Sequence, residues 1–128
     1  MKDRHTIIFL SVIIVIPLVM ILFCYGSSSC IKKAEQAVDT GVDRSLAARP
    51  EEAEFQVQKL KKDWQRHSRK LVLFLDHDDV NSVELEIEEF SAAVLQEDRD
   101  VAERSGAKIK ALLAMIADKD KLTLRNLL

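Results

Sequence analysis

The chain of 128 residues has only three glycines and two prolines. Strand-rich folds need turn residues at close intervals, so this scarcity excludes a β-sandwich or barrel and leaves helices. Two cysteines, Cys24 and Cys30, are too few for a disulfide framework. On one continuous helix their spacing is about 9 Å, too far to bridge within a chain. An excess of base is also lacking. Setting aside Lys2, Asp3 and Arg4 leaves a net charge of −3 over residues 27 to 128. Nucleic-acid binding wants the opposite balance, so no nucleic-acid partner is expected. The phosphate-binding glycine loop, the nucleophile elbow, the catalytic cysteine–histidine pair and the usual zinc spacings are absent. No catalytic residue, no metal site and no cofactor is assigned, and an enzyme is not expected.

What is present is one long apolar run. Thr6 to Tyr25 is twenty consecutive uncharged residues. As a helix it would be about 30 Å long, the thickness of a bilayer's hydrocarbon core. Phe23 and Tyr25 suit an interface, where amphipathic rings settle. Pro17 would cost about 3 kcal/mol inside a soluble helix, and membrane helices tolerate it better. A buried core helix fits poorly, since the run has no polar face. A signal peptide is the competing reading. Lys2 and Arg4 make a basic start, and Ser27 to Ser29 offer small residues for cleavage, but the run exceeds the roughly 7–15 residues of such regions. Phe23 before Cys24, and the serines before Cys30, do not suit lipoprotein processing. The positive-inside count is nearly balanced, with Lys2 and Arg4 before the run and Lys32, Lys33 and Arg44 after it. A five-residue tail holding two bases stays in the cytoplasm, so the C-terminal part is expected outside.

Four stripes at three-four spacing follow. Residues 26–29 read as a joint. Ile31, Ala34, Val38, Gly41 with Val42, and Ser45 with Leu46 mark a first helix of small side chains. Arg49 and Pro50 end it, because proline disfavours helix before it and suits the first turn of the next. Ala53, Val57, Leu60, Trp64, His67 with Ser68, Leu71, and Phe74 with Leu75 predict a second helix from Pro50 to Asp76. A helix start is expected at Asn81, with Glu84 completing a capping box and Val80 stapled to Leu85. Val80, Val83, Ile87, Phe90 and Val94 form the third stripe. A turn near 96–100, with Asp100 and Glu103 as a capping box, precedes Val101, Ser105, Ile109, Leu112 with Leu113, and Ile116. No glycine or proline marks that turn, so one long helix to Ser105 and Gly106 is the alternative. The fold class is therefore all-α: an N-terminal transmembrane helix, then an antiparallel bundle of three to four helices. The divisions are a tail at 1–5, the span at 6–25, the joint at 26–29 and the bundle at 30–128.

Charge is segregated. Lys59, Lys61, Lys62, Arg66, Arg69 and Lys70 crowd one stretch with only Asp63 among them. Residues 71–98 hold nine acids and no base. Folding back about residue 78 or 79 would set Lys59 opposite Asp98 and Lys70 opposite Ile87. Such pairs are worth about 0–1 kcal/mol each, and mainly select the pairing. The other reading is that the basic block binds lipid headgroups.

His67 falls on the apolar stripe and reads as a hydrogen-bonded core residue. Treated as one helix, His67 and His77 are roughly 80° apart around the axis. His77 with Asp76, Asp78 and Asp79 is the weak candidate for a cation or pH-sensing site, beside the plainer reading of a helix-end residue in a polar turn. Trp64 reads as a core anchor. Cys30 is a candidate for cross-linking two copies, beside the plainer reading of apolar filler. Leu122, Leu124, Leu127 and Leu128 are candidates for partner binding, with sealing of the bundle base as the plainer choice.

The N-terminal span, the helix around Trp64, the turn His77, Asp78, Asp79, Val80, Asn81, the acidic-apolar helix after it and the ending Leu122, Thr123, Leu124, Arg125, Asn126 together resemble the family called domain of unknown function 4363. These are small single-span proteins, largely of spore-forming Gram-positive bacteria. The resemblance covers nearly the whole chain. It implies membrane location and an outward helical domain, and transfers no catalytic or binding residues. The expectation is a membrane-anchored helical interaction module. Its partners would be the lipid bilayer and another membrane protein or a second copy. The alternative is an extracytoplasmic ligand-sensing, pH-sensing or metal-sensing bundle coupled to a membrane partner.

Overall fold

The computed structural model describes residues 2–127, without the side chains of Lys2, Leu124 and Leu127. Four helices account for nearly all of it: α1 Lys2–Ala47, α2 Pro50–Leu71, α3 His77–Leu95 and α4 Arg99–Leu127. Each packs on the next in the chain, and α4 closes the ring against α1, giving an up-and-down four-helix bundle. The stripes meet in one core. Val38, Val42, Val57, Val83, Ile87, Phe90 and Ile109 are all fully buried there, with Trp64 at 2% exposure. The alternation read from the sequence thus identifies the buried faces, and α3 and α4 are separate helices.

The element that governs the rest is α1. It runs 46 residues without a break, about 69 Å at 1.5 Å per residue. From Asp3 to Phe23 it is exposed throughout, while Ile31, Ala34, Val38 and Val42 of its second half line the core. Residues 26–29 are therefore not a joint. Ser27 is buried and donates to Asp120 Oδ1 at 2.9 Å, so packing on α4 holds the helix through a segment whose composition reads as a hinge. Gly26 in a helix interior costs about 1 kcal/mol, too little to break it.

The ends of α2 and α3 also differ from the sequence reading. Helix α2 stops at Leu71, and residues 72–76 make the turn. The N–H groups of Val72, Leu73, Phe74 and Leu75 donate to Ser68, Lys70, Leu71 and Leu71 carbonyls at 2.9–3.2 Å, so the chain tightens without glycine or proline. Helix α3 begins at His77 with Asp76 as its N-cap residue, not at Asn81. Asp78 and Asp79 lie in its first turn, where negative charge meets the positive helix end. Leu85 is exposed, so no staple to Val80 forms.

The register moves accordingly. Lys61 pairs with Glu88 at 3.3 Å, which centres the α2–α3 hairpin about four residues before the expected point. Lys59 is therefore not opposite Asp98. The acids of α3 are shared with α4: Glu86 lies 4.0 Å from Lys108 and Asp79 3.6 Å from Lys119. Helix α3 lies between two basic neighbours rather than against one.

The α3–α4 turn carries the one positive-φ residue outside glycine among the described residues, Glu97 at φ 57°. Asp98 N–H donates to Ala93 at 2.9 Å and Glu97 N–H to Val94 at 3.2 Å, the pair of bonds that closes a helix end through a left-handed residue. Helix α4 is then capped by Asp98, whose Oδ1 accepts a long bond from Val101 N–H at 3.4 Å. The expected box of Asp100 with Glu103 does not form; Glu103 pairs with Arg99 at 3.1 Å. Ser105 and Gly106 lie buried within α4.

Candidate functional site

The chain gathers its unusual features at one end of the bundle, where α1 leaves the core. Three elements meet there: α1 around Phe23 to Ile31, the α2–α3 turn, and the last turns of α4. The Phe23 and Phe74 rings lie 4.7 Å apart, tilted by 58°, the edge-to-face range that aromatic pairs favour. Ser27 is bonded to Asp120 and Asp79 to Lys119. Leu71 is buried beneath the turn and Leu75 is partly buried. Leu73, between them, is 72% exposed, and Leu122 on α4 is 57% exposed. The run of five apolar residues from Leu71 to Leu75 is thus divided, with part closing the bundle and part facing outward.

The sequence-derived candidates fall as follows. Asp76, His77 and Asp78 are exposed on the same end, and Asp79 turns to Lys119. Among the described residues no group of three or more such side chains is placed to hold a metal ion. His67 and His77 lie on different helices, so the angular estimate made for a single helix does not apply. His67 is half-buried rather than a core residue. Burial, then the neighbouring Arg66, holds its pKa below the ordinary histidine value. Cys30 is half-buried, packed against the core edge, and both cysteines are free thiols. Leu122 is exposed; the side chains of Leu124 and Leu127, and residue Leu128, lie outside the described residues. Trp64 is the core anchor expected, and its indole N–H is buried without a hydrogen-bond partner.

Two further features were not read from the sequence. On α1, Glu35, Asp39 and Asp43 follow at four-residue intervals. Asp43 bonds Lys110 of α4 at 2.6 Å, while Asp39 Oδ1 is buried without a partner. Burial, then Glu35, raises the Asp39 pKa above the ordinary carboxylate value; Lys110 opposes this. A groove of about 350 Å³ between α1 and α2 is lined by Lys33, Arg44 and Lys59 among others. It and the smaller depressions, of about 260 and 200 Å³, are open to solvent.

The architecture defines a class: an antiparallel four-helix bundle whose first helix extends far beyond the core as an apolar rod. Residues 28–127 match the family described as domain of unknown function (DUF4363), and the chain belongs to it. The match begins where the bundle begins, at the burial boundary on α1. No functionally curated protein and no solved structure matches the chain. The apolar rod is long and apolar enough to cross a membrane, with none of its apolar window buried in the protein.

Proposed function

We propose that this chain is a membrane-anchored helical interaction module without catalytic activity, its N-terminus cytoplasmic and its bundle extracytoplasmic. The unbroken α1 carries the reading. One helix supplies both the apolar rod and a quarter of the bundle core, so the bundle is held rigidly to whatever the rod sits in. Cleavage as a signal peptide near Ser27 would cut through packed helix, at a buried side chain bonded to Asp120. That packing supports retention. Several charged groups of the bundle pair between helices at its surface. Open grooves suit a protein or lipid surface better than an enclosed small ligand.

The partner would be another membrane protein or a second copy. Cys30 would report the second copy if two α1 helices pair. Cross-linking in membranes followed by capture of the full chain tests the reading. A stable protein partner, or a dimer trapped through Cys30, supports it. Release of the chain into the soluble fraction without detergent overturns it.

A second reading is favoured by the same rigid α1, which would carry a change in the bundle directly into the rod. In that reading the acidic turn at Asp76, His77 and Asp78 senses pH or a divalent cation and passes the change to a membrane partner. Stabilisation of the full chain by Zn²⁺, Ca²⁺ or Mg²⁺ in a thermal melt supports the sensor; an unchanged melting temperature counts against it.

A further inference from the structure

The apolar rod has no stalk. Its apolar run ends at Tyr25, and two residues later Ser27 is already buried against Asp120. Two residues of helix are about 3 Å. If the rod spans a bilayer, which is the reading proposed above, the end of the bundle lies within the headgroup layer. The α2–α3 turn reaches back along the rod, as do the last turns of α4 beyond Asp120. Phe74 packs on Phe23, a residue inside the apolar run, so the turn reaches back past the end of that run. At that depth Leu73 is 72% exposed and Val72 40%. A soluble bundle would place polar residues at such a turn.

The backbone donors agree. A loop approaches an apolar layer more readily when its N–H groups are satisfied internally. The N–H groups of Val72, Leu73, Phe74 and Leu75 all donate within the chain. Exposed Arg69 and Lys70 stand just before the turn, and exposed Leu122 lies on α4 at the same end.

We propose that the turn Val72–Leu75 is a second membrane contact, with Leu73 and Val72 inserted in the interfacial layer of the bilayer beside the span. The bundle is then held at two points and cannot swing about the span axis.

Tryptophan scanning of the full chain in phosphatidylcholine–phosphatidylglycerol vesicles tests this. Trp64 is first replaced by Phe, which removes an indole N–H that has no partner. Single tryptophans are then placed by Leu73→Trp, by Val15→Trp within the rod and by Phe55→Trp, exposed on α2. Emission is compared in ordinary lipid and in lipid brominated near the headgroup or at mid-chain. Leu73→Trp is expected to emit at shorter wavelength than Phe55→Trp and to lose intensity with shallow bromines. Val15→Trp is expected to lose intensity with deep ones. Val15→Trp quenched and Leu73→Trp open to aqueous iodide overturns the second contact and leaves the anchor standing. Leu73→Trp shielded from iodide but indifferent to bromine means a protein covers the turn, and also overturns it. Val15→Trp indifferent to bromine overturns both.

Discussion

All three glycines lie inside helices, so one substitution, glycine to alanine, separates helix propensity from packing. The only tryptophan, buried at 2% exposure, reports the state of the core. At Gly26 an added Cβ meets nothing within 4 Å. The change gains helix propensity alone, up to about 1 kcal/mol. At Gly41 the new Cβ would lie 2.8 Å from Leu60 Cδ1. That atom is the end of a flexible side chain, so a rotamer change relieves part of the overlap, and the result is near neutral. At Gly106 the Cβ would lie 2.9 Å from Val42 Cγ1 and 3.3 Å from the Phe90 ring. Valine is stiff at χ1 and Phe90 is fully buried, so neither gives way easily. Overpacking costs about 1–3 kcal/mol, against the gain of about 1 kcal/mol in propensity. A net loss of about 1 kcal/mol lowers a urea midpoint by about 0.5 M at ordinary slopes. Trp64 emission of the full chain in detergent, titrated with urea, should rank Gly26→Ala highest, Gly41→Ala next and Gly106→Ala lowest, below the parent. A midpoint for Gly106→Ala at or above the parent would refute the close contact of α4 with α1 and α3.

Three other perturbations follow. Glu97→Gly should stabilise by about 0.5–1 kcal/mol, the left-handed strain of roughly 1–2 kcal/mol less the entropy that glycine adds to the unfolded chain; a lower urea midpoint would mean the turn is not held as described. Asp39→Asn should raise stability at neutral pH. The folded state holds the Asp39 proton more tightly than the unfolded state, so the penalty of its charge is full above the raised pKa and fades as pH falls toward 3.8; a gain that persists unchanged in acid would contradict this. His67 acts with the opposite slope, because its pKa is lowered from 6.5 and the unfolded state binds the proton first. Stability should drop as pH falls below about 6.5, and His67→Gln should flatten that drop in parallel melts.

The buried faces were legible because periodicity survives local irregularity. Val57, Leu60, Trp64 and Leu71 are all buried where the stripe puts them. The ends were less legible, for physical reasons that differ. Residues 71–75 continue the apolar pattern of α2, so no polar break betrays the turn. The acids at 76, 78 and 79 look like a turn but serve the first turn of α3, where the helix end attracts them. The serines after Gly26 look like a joint, yet the pattern cannot show that Asp120, 93 residues later, closes on Ser27. Glu97 in a left-handed conformation gives no signal at all. Leu122 and the acids of the α2–α3 turn were legible as candidates, while Val72 and Leu73 were not, because they fall between the stripe positions Leu71 and Phe74.

The scarcity of glycine bears on function through the turns. Gly41 and Gly106 serve helix–helix contacts, and the bundle's turns are made by short hydrogen-bonded segments instead. Short turns keep the bundle blunt and bring its end close to the apolar rod. That end carries charge of both signs: Arg69, Lys70 and Lys119 beside Asp76, Asp78 and Asp120. A mixed layer gains little from the negative surface of a bilayer, where about 1 kcal/mol per base is offset by nearby acids. Depth is then set by apolar contact rather than charge. Replacing Arg69 and Lys70 should therefore change the salt dependence of the bundle's seating far less than Leu73→Asp changes its depth.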